Sequence, residues 1–325
     1  DPDSFCCRFR FRPEQVRLLL SEFGWLDSVG NSTIILAEDQ GASGWIASET
    51  MLLIVLRLLA RPMTIEDIID EMGCARSLVG IAFEYGTKLI YAQWAKPLNN
   101  FYAWRLWFDE FAERIWQKGS LFRNCICFVD GIFVEICRPG GPKNFHALTP
   151  QSYFYNGYEK CHGLKYIGAV FPNGILLAWG PFYGSQHDSP LLMYRTPILA
   201  ALRRLFYRLG RWYIVFGDSA FASTRFIQRM IKGAAAKTVA GQLYNNTMAP
   251  LRVDIEHAFR EIQRDWAAIK WTPGQCLGLR PLGRYFHVGV FLHNCMGILN
   301  GTLQHAKFGM DWMSWLTLAE YLAHA

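Results

Sequence analysis

Two short segments, "CFVDG" (127–131) and "VFGDS" (215–219), each place a carboxylate next to a glycine after a run of apolar and aromatic residues. Such runs read as buried strands, because β-branched and aromatic side chains pack well on a pleated surface. A charge at the end of a buried strand is costly unless something pairs with it. Asp130 and Asp218 therefore need a partner, and if their strands are neighbours the two carboxylates converge.

The surrounding sequence fits these strands into a mixed sheet. "CICFVDGIFVEIC" (125–137) is β-rich, and Pro139, Gly140, Gly141 and Pro142 then break the chain. "LKYIGAVF" (164–171), "PNG" and "ILLAWG" (175–180) read as a hairpin. A helix is expected over about 189–208, the strand ending at Gly217 follows, and a long helix covers about 249–269 after two short elements. The order β-β-β-α-β-α, with antiparallel early strands, predicts an α/β fold with a mixed sheet flanked by helices. Residues 276–325 read as closing helices.

Residues 1–120 read as helical throughout. Pro13 and Gly24 bracket one helix, and another covers about 48–60. Thr64 suits an N-cap with Asp67 three residues on, Gly73 ends that helix, and the next begins near Ser77. Two helices joined by a Gly-containing turn within about 50–95 give either a helix-turn-helix or a plain αα-hairpin. A further helix is expected at about 101–117. The expected organisation is 1–120, 121–275 and 276–325.

Composition narrows the function classes. The chain has 325 residues, 51% hydrophobic, and a formal charge of +6, which permits an acidic partner such as nucleic acid without establishing one. The longest apolar run, "MLLIVLRLLA" (51–60), is interrupted by Arg57 and is too short to span a bilayer. No signal peptide is visible, and the start at Asp1 rather than Met suggests that an upstream segment was trimmed. The nine cysteines are scattered without a CxxC pair, which fits reduced thiols better than a structural zinc site. Phosphate-cradling and nucleophile-elbow motifs are absent.

A third acid lies on the long helix. Ile255, Phe259, Ile262, Trp266 and Ile269 mark its buried stripe, and Glu256 borders it. Arg252, Arg260 and Arg264 follow on the same flank, so Glu256 is either an inward-reaching ligand or a solvated partner of arginines in i,i+4 pairs. Asp130, Asp218 and Glu256 meeting at a sheet edge would repel one another, and one or two Mg²⁺ or Mn²⁺ ions would relieve that repulsion and suit in-line displacement at phosphorus. Asp188, in "GSQHDSPLL", is either a further metal-linked acid or, with Ser189, a helix cap. A Ser185–His187–Asp188 nucleophile set is not expected, because adjacent residues do not converge on one site without a nucleophile elbow.

Taken in order, "FVDG", "YNGYEKCHGLKY", "PNGILLAWGPFYGSQHDSPLL", "FGDSAF", "RVDIEHAF" and "FLHNC" resemble the PIF/Harbinger transposases and their domesticated relatives over about 125–300. The resemblance implies a ribonuclease H-like fold and a DDE nuclease site holding divalent metal. By position, the acids carried over are Asp130, Asp188, Asp218 and Glu256. It also favours the helix-turn-helix over the plain hairpin, and implies a nuclear protein that works with a Myb-like DNA-binding partner. The chain departs from the family pattern at Ile132, Glu159, Phe221 and His257, none of which removes an acid.

The leading expectation is a metal-dependent DNA endonuclease or transposase that cleaves phosphodiesters and joins 3′-OH ends to target DNA. Asp130, Asp218 and Glu256 are the expected catalytic ligands, with Asp188 as a further metal-linked acid. Arg76, Arg252, Arg260 and Arg264 are expected DNA contacts. A homo-oligomer is a further expectation, and no membrane partner is. The rival is a domesticated, non-cutting DNA-binding or scaffold protein that keeps the fold. A hydrolase of small phosphoesters is disfavoured by the basic helical region and the flanking arginines.

Overall fold

The computed structural model describes residues 1–36, 45–140 and 151–324, so Gly141 and Pro142 of the expected break lie outside the described residues. The chain forms two compact units, each assembled from separate stretches of sequence.

The first unit comprises residues 1–98, 262–299 and 317–325. Its N-terminal part holds α1 (Pro2–Phe9), α2 (Pro13–Glu22), α3 (Ser48–Ala60), α4 (Ile65–Met72) and α5 (Arg76–Ile90). This part is not helical throughout. β1 (Ile34–Leu36) and β2 (Trp45–Ala47) form a two-stranded antiparallel sheet with Ile35 opposite Ile46. Such short apolar runs satisfy their backbone groups by pairing with each other, since three residues cannot close a helix. α4 starts and stops where the sequence indicates. The Thr64 hydroxyl accepts from the Asp67 N–H, the Asp67 carboxylate accepts in return from Thr64, and Gly73 ends the helix at φ 66°. Arg57 is buried on α3 and pairs with Glu71 of α4 at 2.8 Å. Phe23 and Trp94 stack at 4.1 Å between ring centroids, and Phe291 lies 6.1 Å from Phe23.

The second unit comprises residues 99–261 and 300–316. The expected helix at 101–117 is a 3₁₀ stretch, Phe101–Trp107, running into α6 (Phe108–Gln117). The sheet follows: β3 (Cys125–Glu135), β4 (Tyr155–Asn156), β5 (Cys161–Val170), β6 (Leu176–Tyr183), β7 (Ile214–Gly217) and β8 (Ile227–Arg229). β6, β5, β3, β7 and β8 lie side by side in that order, and β4 extends the pairing of β5. β6–β5 and β5–β3 are antiparallel, whereas β3–β7 and β7–β8 are parallel. This is the expected mixed, ribonuclease H-like sheet flanked by helices.

The helix expected over 189–208 is two helices, α7 (Asp188–Arg195) and α8 (Ile198–Leu209). Thr196 is extended before Pro197, as the residue preceding a proline is pushed to be. The long helix, α9 (Val239–Asp265), begins ten residues before the expected start and carries Pro250 inside it. All five residues of its expected stripe are buried, although Trp266 lies just past the helix and Ile269 falls in the 3₁₀ turn that follows. α10 (Leu282–Asn300), α11 (Leu303–Phe308), α12 (Trp312–Trp315) and α13 (Leu318–Leu322) are the closing helices.

All nine cysteines are free, and Cys125, Cys127 and Cys295 are buried. Burial pushes the Cys125 thiol up to about 12, so it packs as a small apolar group rather than a ligand. Among the described residues no helix is long and apolar enough to cross a membrane.

Candidate active site

β3 and β7 run parallel with Val129 opposite Gly217, so Asp130 and Asp218 are the next residues on adjacent strands. Asp218 follows the last residue of its strand. Asp130 does not, because β3 continues past β7 and pairs with β5 as far as Glu135. Asp130 thus ends only the parallel half of its strand.

α9 is seated on this sheet through a glycine. Gly168 of β5 lies opposite Asp130, and a Cβ there would come within 2.4 Å of the Phe259 ring. The bare glycine lets Phe259 sit directly on the sheet, and Glu256 lies nearly one helical turn earlier on the same helix. Arg252, a further turn back, joins helix to sheet. Its guanidinium donates to Asp130 at 2.9 Å and to Glu256 at 2.5 Å, while its buried Nε has no partner among the described residues.

The fourth acid also carries a resident cation. His187 is the N-cap position of α7 and Asp188 is already inside the helix. The Asp188 carboxylate caps nothing. It accepts from Lys165 of β5 at 2.8 Å, and the Ser189 hydroxyl accepts instead from the Ala222 N–H. The carboxylate sits directly over Gly131, where a Cβ would lie 2.7 Å from it. The glycine of "VDG" is therefore needed for the approach of Asp188.

Burial is the main cause that pushes Asp130 up, to about 6. The Arg252 charge offsets part of that rise, and the charges of Asp218 and Glu256 add to it. Asp130 thus lies in the field of both Asp218 and Glu256. Among the described residues, however, no three His, Cys, Asp or Glu side chains are arranged to hold a metal ion. The physical reason is visible in the pairing: Arg252 occupies the space between Asp130 and Glu256, and Lys165 occupies Asp188. The donor set is all carboxylate oxygen, which suits a hard divalent cation. The orphaned Arg252 Nε marks a guanidinium held by only part of its donors.

The other expected DNA contacts divide. Arg260 pairs with the far oxygen of Glu256 at 3.4 Å. Arg264 pairs with Asp265 at 2.8 Å and Arg76 with Glu66. The i,i+4 reading of Glu256 therefore holds for two of its arginines, alongside its position at the sheet. Lys165 was not singled out in the sequence. The available signal was a lysine inside the otherwise apolar strand "HGLKYIGAV" (162–170).

The DDE superfamily endonuclease family matches residues 129–294, just over half of the chain. The chain belongs to this family of endonucleases, whose nuclease chemistry generally depends on divalent metal. No curated protein and no solved structure matches it.

Proposed function

We propose that this protein is a PIF/Harbinger-type DDE nuclease acting on DNA, with Asp130, Asp218 and Glu256 as its catalytic carboxylates and Asp188 in support. The observation that carries this reading is the parallel register of β3 and β7, which sets Asp130 beside Asp218 under the helix that bears Glu256. Bound there, Mg²⁺ or Mn²⁺ would supply an activated water and stabilise charge on the attacked phosphodiester. The chain's own part is to hold the carboxylates at a fixed sheet edge and to keep Asp130 desolvated. Arg252 and Arg260 then stand beside the acids as candidates for the substrate phosphates. Joining of 3′-OH ends to target DNA, a nuclear setting and a Myb-like partner belong to the same proposal.

The resident cations support a second reading, a non-cutting DNA-binding or scaffold protein that keeps the fold. Arg252 and Lys165 already pair with three of the four acids. Incubation with supercoiled DNA and Mg²⁺ or Mn²⁺ separates the two. Nicking by the wild type that is lost in Asp218→Asn is the expected result. Equal nicking by both, or none by either, favours the non-cutting protein.

A further inference from the structure

The positive charge of this chain is concentrated in one stretch. Residues 189–253 carry ten arginines and lysines and a single acid, Asp218, a net +9 in a chain whose total is +6. The densest part is α8. Ile198, Leu199, Ala201, Leu202 and Leu205 are its buried positions. The opposite stripe, Arg203, Arg204, Tyr207 and Arg208, is exposed, as are Arg211 and Trp212 just beyond the helix.

Neighbouring elements hold this face and neutralise only Arg211 of it. Arg204 of α8 and Arg105 both stack on the Tyr102 ring, at 4.5 and 4.7 Å from its centroid. Arg225 lies over the Phe206 ring at 5.0 Å, and its carbonyl accepts from the Trp212 indole. Such contacts orient a guanidinium and leave its charge in place. Arg211 pairs with Asp109 at 3.1 Å. Among the described residues, Arg203, Arg204 and Arg208 have no carboxylate partner.

The Tyr102 ring suits Arg204 and the last turn of the helix suits Arg208, but helix stability does not call for the whole stripe. Like charges at i,i+4, as at Arg204 and Arg208, cost a helix about 0.2–0.5 kcal/mol. A cationic stripe is complementary instead to a polyanion. Arginine's planar fork matches phosphate bidentately, which a lysine does only as a point charge. Tyr207, 72% exposed, and Trp212, 51% exposed, add flat faces on which nucleotide rings stack. We propose that the outer face of α8 binds a nucleic-acid backbone, at a surface distinct from the carboxylate cluster and its arginines. The inference rests on the DNA reading above and extends it to a second contact surface.

The test is fluorescence anisotropy of the full chain with a labelled duplex of arbitrary sequence and with the corresponding single strand, over a salt series. Replacing Arg203, Arg204 and Arg208 together by Gln should weaken binding at least tenfold at low salt. It should also lower the salt slope by roughly two to three units, at about 0.9 per lost phosphate contact. The matching Lys triple should keep most of the slope. Loss of stacking in Trp212→Ala should weaken the single strand more than the duplex. Unchanged affinity and slope in a Gln triple with wild-type melting temperature overturns the proposal, and so does equal binding of an acidic polypeptide through the same residues. Asp218→Asn separates this idea from the nuclease reading. α8-dependent binding without any Asp218-dependent nicking sinks the nuclease alone, whereas nicking with binding indifferent to α8 sinks this proposal alone.

Discussion

Arg252 reaches from α9 to Asp130, 122 positions away in sequence, and donates to its carboxylate at 2.9 Å. The same guanidinium donates to Glu256, so one cation joins two of the proposed catalytic acids. Arg252→Gln leaves those acids without their shared counter-charge. The metal-free variant should lose about 1–3 kcal/mol of stability. Its rise in melting temperature on adding Mg²⁺ or Mn²⁺ should exceed that of the wild type, because the ion no longer competes with the guanidinium. Calorimetric melts with and without metal decide the matter. Equal increments in the two proteins would mean that Arg252 and the metal do not share a place.

The acid cluster should also leave a mark on stability against pH. Asp130 titrates near 6 in the folded chain, chiefly through burial, against an ordinary 3.8. Between those values the folded state keeps a proton that the unfolded state has released, so this group's contribution declines as pH rises through the window and levels off above it. Asp130→Asn keeps an acceptor for Arg252 and removes the buried charge. In a chelating buffer it should stabilise the protein by on the order of 2–3 kcal/mol well above pH 6, with the gain vanishing near pH 4. Urea titrations across that range would refute the assignment if the gain were independent of pH.

Gly131 offers a local test of how Asp188 is held. Alanine there would put a Cβ 2.7 Å from the Asp188 carboxylate. Either that carboxylate leaves Lys165 or β3 shifts, and a cost of about 1–3 kcal/mol is expected for such overpacking. Asp188→Ser shortens the side chain and should recover most of the loss in the double variant. Melting temperatures of the four proteins complete the cycle. Additive losses would place the strain elsewhere than against Asp188.

The histidine of "FLHNC" acts in the core rather than at the acids. Burial pushes His293 down to about 4; Asp265, with an oxygen 3.9 Å away, opposes that shift and the Arg264 charge adds to it. Below pH 6.5 the unfolded chain takes up a proton that the folded one refuses, so stability falls with pH until about 4. His293→Leu should remove up to about 3 kcal/mol of that acid loss. A residual slope remains from His305, which burial also lowers to about 4. An acid limb of wild-type steepness in His293→Leu would show that another group drives it.

What the sequence disclosed followed the range of each signal. The Thr64–Asp67 box, the Gly73 stop and the α9 stripe are set within one or two helical turns, and each is present. The adjacency of Asp130 and Asp218 was conditional on strand pairing, which residues 88 positions apart cannot specify locally. Pro250 reads as a helix start because proline suits a first turn. Yet α9 runs through it, with Lys307 donating to the Pro250 carbonyl from 57 residues away. β1 and β2 are too short to show a period, and each exists only through the other. The Lys165–Asp188 and Arg252–Asp130 pairs join different elements, so no spacing announces them.

The interleaving of the two units bears on how the chain is made. Residues 1–98 leave the ribosome well before 262–299 and 317–325, which complete the helical unit. Until Phe291 emerges, Phe23 and Trp94 lack the ring that packs beside them. The acid-bearing unit waits in turn for residues 300–316. A chain cut short anywhere before residue 316 therefore leaves neither unit whole.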